Sequence, residues 1–200
     1  RIFRCLQYGW SIERGIEMFP DFDFCSKEFS KYGLELTEDA HKKLGIYCDF
    51  LIEYNNFVNL TAITDPVDIL YKHFIDSISL IKAADTDLIL EALLKGAEVS
   101  LLDVGCGAGF PGVPLAIACP DANVTLLDSL GKRMKWLEEV LPTLGVKAEC
   151  VTARAEEAVA TRRERYDFAT SRAVARLSIL LELTAPFVKV GGFVLAMKGT

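Results

Sequence analysis

Three glycines at alternate positions, Gly105, Gly107 and Gly109, lie between an apolar run ending in Asp103 and a second apolar run, Val113 to Cys119. Glycine lets a backbone turn sharply and lets a ligand approach it without meeting a Cβ. This order predicts a buried parallel strand, a tight loop and a helix, with Pro111 suited to the first helical turn and Pro120 as a stop. The dinucleotide fingerprint G-x-G-x-x-G fails, because Phe110 stands three residues after Gly107. Downstream, Asn123 to Asp128 reads as a second apolar strand ending in an acid. A carboxylate at that place in a Rossmann-type sheet accepts ribose hydroxyls. The plainer use of Asp128 is to cap a helix starting near Gly131, which Ser129 can also do. Loop, helix, strand and acid in this order point to a nucleotide-like cofactor.

The elements needed to position these residues are legible around them. Gly131 to Leu144 is amphipathic through Met134, Leu137, Val140 and Leu141, with Trp136 flanking that face and Gly145 ending it. Lys147–Thr152 reads as a third strand, followed at once by Ala155 and Glu156. Tyr166–Ser171 reads as a fourth, running into Arg172. Leu177–Phe187 is helical, and Val190–Met197 is a fifth strand leading to Lys198. Alternating strands and helices predict a Rossmann-like α/β fold, a parallel sheet with helices on both faces. Ligands of such sheets bind at the carboxyl ends of the strands, where the strand order reverses. The glycines, Asp128, Ala155, Glu156, Arg172 and Lys198 all fall at those ends.

Residues 34–97 are expected to form a helical appendage ahead of a core at 98–200. Thr37 caps a helix whose apolar face is Leu44, Tyr47, Leu51, Tyr54 and Val58. Asp65-Pro66 starts another, with Ile69, Leu70, Phe74, Ile78 and Ile81 as its buried stripe. His73, Asp76 and Ser77 share one side of that helix. They form either a polar face in which Asp76 holds His73, or a substrate-side cluster facing the crevice. A short helix is expected within 84–97. Residues 1–33 lack a period and are left unassigned as surface or flexible chain, with Phe19 to Phe24 irregular.

An apolar fraction of 51% with 25% charged residues describes an ordinary globular chain with enough core. The longest apolar stretches are too short for a membrane span. Six cysteines are scattered with no C-x-x-C, so free, mostly buried thiols are expected and a metal site is not. The net charge of −6 argues mildly against nucleic acid. It is uneven, however. The first hundred residues hold 10 basic and 17 acidic side chains, the second hundred 12 and 11, with local basic patches at Lys132-Arg133-Met-Lys135 and Arg162-Arg163-Glu-Arg165 that charge alone reads as solvated surface.

Taken together, Asp103-Val-Gly-Cys-Gly-Ala-Gly-Phe-Pro-Gly112 resembles the first motif of S-adenosylmethionine-dependent methyltransferases. With Asn59-Leu-Thr-Ala-Ile-Thr-Asp-Pro66, His73-Phe-Ile-Asp-Ser77, Leu126-Leu-Asp-Ser-Leu-Gly-Lys-Arg133, Arg154-Ala-Glu-Glu157, Ser171-Arg-Ala173 and Met197-Lys-Gly199, the sequence resembles the bacterial 16S ribosomal RNA guanine-N7 methyltransferases, the glucose-inhibited division protein B family. The resemblance runs from about Leu34 to Gly199. It implies S-adenosylmethionine as cofactor, with Gly105 and Phe110 lining the loop, Asp128 on the ribose, Ala155 and Glu156 beside the adenine, and Arg172 closing the site. It also implies a cytoplasmic, monomeric enzyme acting on 16S rRNA in the small ribosomal subunit, without membrane or metal. Family members continue through two further strands, so the sheet is expected to lack its closing hairpin. N7 of guanine is an unprotonated lone pair, so no general base is demanded and no catalytic residue is assigned. His73, Asp76, Ser77, Lys198, Lys132, Arg133 and Lys135 are the substrate-side candidates, the basic ones for phosphates. A small-molecule or protein methyltransferase and a non-catalytic nucleotide-binding module are the alternatives.

Overall fold

The computed structural model describes residues 18–58, 60–83, 99–172 and 176–197. Among them, β1 (Ser100–Val104), β2 (Asn123–Asp128), β3 (Ala148–Thr152), β4 (Tyr166–Arg172) and β5 (Val188–Met197) form one sheet in the order β3-β2-β1-β4-β5. Every pairing is parallel. The chain winds outward from β1 to β3 and then crosses to β4. The order therefore reverses between β1 and β4, and a crevice opens there at the carboxyl ends. Side chains alternate between the two faces of the sheet. Leu101, Val124 and Leu126 pack into the larger core, while Leu102, Val104 and Leu127 pack into a smaller one with Ala158, Tyr166 and Phe187.

Helices cover both faces. α1 (Phe22–Lys31), α2 (Glu38–Val58), α3 (Pro66–Ile69) and α4 (Asp76–Ala83) precede the sheet. α5 (Gly112–Ala118), α6 (Gly131–Leu144), α7 (Ala155–Arg162) and α8 (Leu177–Thr184) alternate with the strands. The apolar stripes of the leading helices do find a partner surface. Leu44, Tyr47, Leu51, Ile69, Leu70, Phe74, Ile78 and Ile81 are buried in the larger core together with Val113, Leu137 and Val140 of α5 and α6. Between α3 and α4 the chain takes a π-helical turn, Leu70–Ile75, that periodicity did not anticipate. Such turns are frequent at functional sites.

One expectation is corrected here. Part of the segment read as surface or irregular chain is α1, whose start is capped by Asp21, its Oδ1 accepting from Phe24 N at 2.8 Å. Cys25 and Phe29 anchor it in the core. The run of aromatics around Pro20 hid the cap. Trp136, flanking the apolar face of α6, is buried as well, stacked on Tyr54 at 5.6 Å and on Tyr47 at 6.2 Å between ring centroids. The short helix expected within 84–97 lies outside the described residues, as does Lys198.

Candidate functional site

The loop after β1 is held at both ends. Gly105 and Cys106 both donate backbone N–H groups to the Leu127 carbonyl, at 2.7 and 3.1 Å, which ties the loop to β2. Tyr47 reaches from α2 to donate its hydroxyl to the Ala108 carbonyl. Gly109, at φ 91°, lies in the left-handed region, and a Cβ there would meet Val113 Cγ2 at 2.6 Å and the Tyr47 hydroxyl at 2.7 Å. Gly112 admits no Cβ either, because Asp103 Oδ2 would lie 2.8 Å from it. That oxygen instead accepts the Gly112 N–H at 2.8 Å. Asp103 Oδ1 is buried with no partner among the described residues. Burial pushes this carboxyl up to about 7, against the pull of the Gly112 N–H and Arg172.

Asp128 is not the N-cap of α6, a place Leu130 takes; its carboxylate instead ties two backbone amides together. Oδ1 accepts from Leu130 N at 2.8 Å, just ahead of α6, and Oδ2 accepts from Gly107 N at 2.9 Å. The carboxylate thus fixes the glycine loop against β2 while still lining the cleft. A carboxylate offers about four acceptor sites, so these two amides leave room for two more donors. Cys106 also lines the cleft, but burial holds its thiol well above the ordinary range, so it is no nucleophile.

Opposite Asp128, Phe110 gathers a polar cluster. His73, from the π-helical turn, stacks on its ring at 4.5 Å between centroids, and the Arg172 guanidinium stands 4.8 Å from the same centroid. Arg172 Nη1 donates to the Lys72 carbonyl at 3.2 Å and lies 3.4 Å from Asp76 Oδ2, while Nη2 lies 3.2 Å from His73 Nδ1. Burial first, and Arg172 second, push His73 down to about 4, so the imidazole is neutral at physiological pH. Thr61 Oγ1 sits 2.9 Å from His73 Nε2.

Gly105, Phe110, Asp128, Ala155, Glu156 and Arg172 all line one cleft of about 610 Å³, together with His73 and Arg133. The other substrate-side candidates separate. Ser77 is fully buried and donates its hydroxyl back to the His73 carbonyl within its own helix, so it does not face the crevice. Asp76 does not hold His73, because Arg172 comes between them and takes its carboxylate. Lys132 and Lys135 are exposed on α6 outside the cleft wall, whereas Arg133 reaches the wall. Sequence reasoning missed Leu60 and Thr61 as wall residues, although both stand in the run Asn59 to Pro66 that carries part of the resemblance. It also missed the polar task of Tyr47, which an apolar stripe conceals. Among the described residues, no three His, Cys, Asp or Glu side chains are grouped to hold a metal, and no helix is long and apolar enough to cross a membrane.

A family model described as rRNA small subunit methyltransferase G matches residues 40–200. The ribosomal RNA small subunit methyltransferase G of Lactobacillus johnsonii is 47% identical over 178 residues, which cover 87% of this chain and 71% of that protein. Its namesake from Clostridium perfringens strain 13 is 45% identical over 181 residues, 89% of this chain and 72% of that one. Among solved structures, the YcgJ protein of Bacillus subtilis is similar over 62% of this chain and 50% of its own, at 19% identity and a TM-score of 0.49. That likeness is too distant to add to the argument.

Proposed function

The chain belongs to the rRNA small subunit methyltransferase G family, and from that premise we propose that it transfers the methyl group of S-adenosylmethionine to N7 of a guanine in 16S ribosomal RNA. The observation that carries the reading is the convergence of Gly105, Phe110, Asp128, Ala155, Glu156 and Arg172 on one cleft at the switch point of the sheet. Its volume, about 610 Å³, falls within the roughly 300–1,000 Å³ usual for small-molecule sites.

The residues present suit this cofactor. Asp128 has acceptor capacity left for both ribose hydroxyls. Ala155 and Glu156, at the start of α7, stand where the adenine lies, and the Arg172 guanidinium offers a counter-charge to the methionine carboxylate. The loop has no phosphate to cradle, so its glycines serve close contact instead. The cofactor supplies a methyl group already activated by the sulfonium. What remains for the protein is in-line placement of acceptor and methyl, and such positioning is worth roughly 7–11 kcal/mol in favourable cases. Guanine N7 brings its own lone pair, so no side chain need take a proton. Positive charge passes to the base during transfer, and cations at the reacting centre would oppose it. The neutral state of His73 and the pairing of Arg172 with Asp76 both limit that opposition.

In this reading residues 34–97 serve as an N-terminal helical appendage to a methyltransferase core at 98–200. The chain works as a monomer without metal, in the cytoplasm, on the small ribosomal subunit. Arg133, Lys132 and Lys135 hold backbone phosphates, and Lys198 is assigned to the substrate side. The test is tritiated-methyl transfer to small subunits that lack the modification, followed by nuclease digestion. Label in N7-methylguanosine of the 16S RNA is expected. Bound cofactor with no labelled RNA would refute the reading.

A further inference from the structure

Phe57, in the last turn of α2, keeps 68% of its surface exposed, and its ring centroid stands 6.3 Å from that of Tyr54. A single exposed apolar side chain is ordinary. What sets this one apart is its place. Leu60 and Thr61, three and four residues further on, are wall residues of the cleft. The Thr61 amide donates back to Asn55 Oδ1 at 2.9 Å, so residues 55–61 close into a short loop that holds Phe57 beside that wall. Thr61 Oγ1, 2.9 Å from His73 Nε2, ties the far end of the loop to the π-helical turn.

A second helix brings positive charge to the same rim. Tyr54 stacks on Trp136 of α6, with 5.6 Å between ring centroids. Lys132 precedes Trp136 by four residues, so it lies on the same side of α6, one turn nearer the helix start. That start follows Asp128 and Leu130, which line the cleft. Phe57 lies three residues beyond Tyr54, one turn nearer the cleft end of α2. The two helices therefore present an exposed ring and an exposed ammonium group on the cleft side of the Tyr54–Trp136 stack, and Lys135, also exposed, lies one turn from Lys132. Glu53 lies one turn behind Phe57, away from the wall, so its charge does not come between the ring and the cleft.

An exposed ring beside ammonium groups suits an unpaired nucleotide, whose base stacks on the ring while its phosphates meet the lysines. Any base can stack, because each offers a π-face. The net charge of −6 gives RNA no general attraction to this chain, so a strand entering the cleft depends on local contacts of this kind. We propose that Phe57 is a stacking platform for an unpaired base of 16S RNA, in the strand that carries the acceptor guanine. This rests on the cleft being that of an RNA methyltransferase. Phe57 takes no part in holding the cofactor or in choosing the acceptor base.

The test compares Phe57→Ala, Phe57→Leu and Phe57→Tyr with the unaltered chain. Methyl transfer to unmodified small subunits gives kcat and KM, and binding of a short unpaired RNA oligonucleotide is measured at several salt concentrations. Loss of one stacked base should weaken oligonucleotide binding by Phe57→Ala roughly fivefold to 150-fold. KM for subunits should rise, with kcat and S-adenosylmethionine affinity within about twofold. The log–log salt slope should stay as it is, because no charge has been removed. Phe57→Tyr should restore binding, and Phe57→Leu, apolar but without a π-face, should not. Four results overturn the inference: full binding by Phe57→Ala, equal recovery by the Leu and Tyr variants, a parallel loss of cofactor affinity, or an oligonucleotide that the unaltered, active chain does not bind. Equal recovery makes the contact a plain apolar one, as to a ribosomal protein, and a parallel loss assigns the ring to the fold. If the unaltered chain binds cofactor yet leaves subunits unmethylated, the functional reading itself fails and takes this inference with it.

Discussion

Asp128→Ala separates the loop-anchoring task that the structure gives to this carboxylate from the ribose contact proposed for it. The side chain accepts from Gly107 N at 2.9 Å and from Leu130 N at 2.8 Å, and it lines the cleft with acceptor capacity left over. Hydrogen bonds to a charged group are worth about 1.5–3 kcal/mol each. Loss of two such bonds to ribose therefore predicts about 3–6 kcal/mol, roughly a hundredfold to ten-thousandfold in cofactor affinity at 1.4 kcal/mol per decade. Loosening of the loop adds to this, because the Gly107 amide loses its anchor. Calorimetry with S-adenosylhomocysteine and its 2′,3′-dideoxy analogue distinguishes the two contributions. The unaltered chain should bind the dideoxy compound far more weakly than the parent. Asp128→Ala should bind both about equally weakly, since the missing hydroxyls have nothing left to meet. Asp128→Asn keeps one acceptor oxygen and should fall between. If Asp128→Ala still discriminates against the dideoxy compound as strongly as the unaltered chain does, the ribose is held elsewhere and Asp128 is only a loop anchor.

Tyr47→Phe keeps the stacking of this ring but strands the Ala108 carbonyl, at a cost of about 1–3 kcal/mol. At roughly 2–4 °C per kcal/mol for a chain of this size, a melting-temperature fall of several degrees is expected, with weaker cofactor binding; an unchanged melting curve would show that the hydroxyl adds no stability. Asp103 is protonated in the folded protein up to about pH 7, far above its ordinary 3.8, so its contribution to stability is lost as pH rises from about 4 through 7. A cationic cofactor favours the ionised form, so binding below pH 7 should release a proton and tighten as pH rises toward about 7, levelling off above it. Calorimetry in buffers of different ionisation heat checks this, and Asp103→Asn should abolish the release. Replacing Lys132, Arg133 and Lys135 together with Ala should weaken RNA binding and flatten its salt dependence by roughly 0.7–0.9 in log–log slope for each phosphate no longer neutralised. With Lys132 and Lys135 alone replaced, both outside the cleft wall, cofactor affinity should be nearly unchanged, and an unaltered slope in the triple variant would make the patch plain solvated surface.

The glycine loop, Asp128 and the strand ends were legible because each is a local event. A turn needs glycine, a buried parallel strand needs an unbroken apolar run, and a helix end needs a stop. The residues proposed for the cofactor side could therefore be read in chain order, and the topology of a parallel sheet brings them to one cleft. The substrate side was legible only in part, because it depends on contacts between residues far apart in the chain. Residue spacing put His73, Asp76 and Ser77 on one side of a regular helix. The π-helical turn intervenes, Ser77 is used up on the His73 carbonyl, and Arg172, from a strand almost a hundred residues later, takes Asp76. Tyr47 was counted as apolar because its spacing is that of a buried stripe, and nothing local reveals that its hydroxyl meets a carbonyl 61 residues away.

Phe110 explains why the leading helices belong to the site and do not merely cover it. Its ring is touched by Tyr47 of α2 at 5.5 Å, by Phe74 at 6.2 Å and His73 at 4.5 Å from the π-helical turn, and by Arg172 of β4 at 4.8 Å. The same residue follows the glycine turn on which the cofactor is proposed to lie. Interiors packed this closely do not yield by small amounts at one point. A shift of the π-helical turn therefore displaces Phe110, and with it the loop, while a shift of the loop displaces His73 and the hydroxyl of Thr61. In the proposed function, cofactor placement and base placement are set through one aromatic ring. That is the arrangement a reaction demands when its barrier is lowered by alignment of two bound partners and no proton has to be moved.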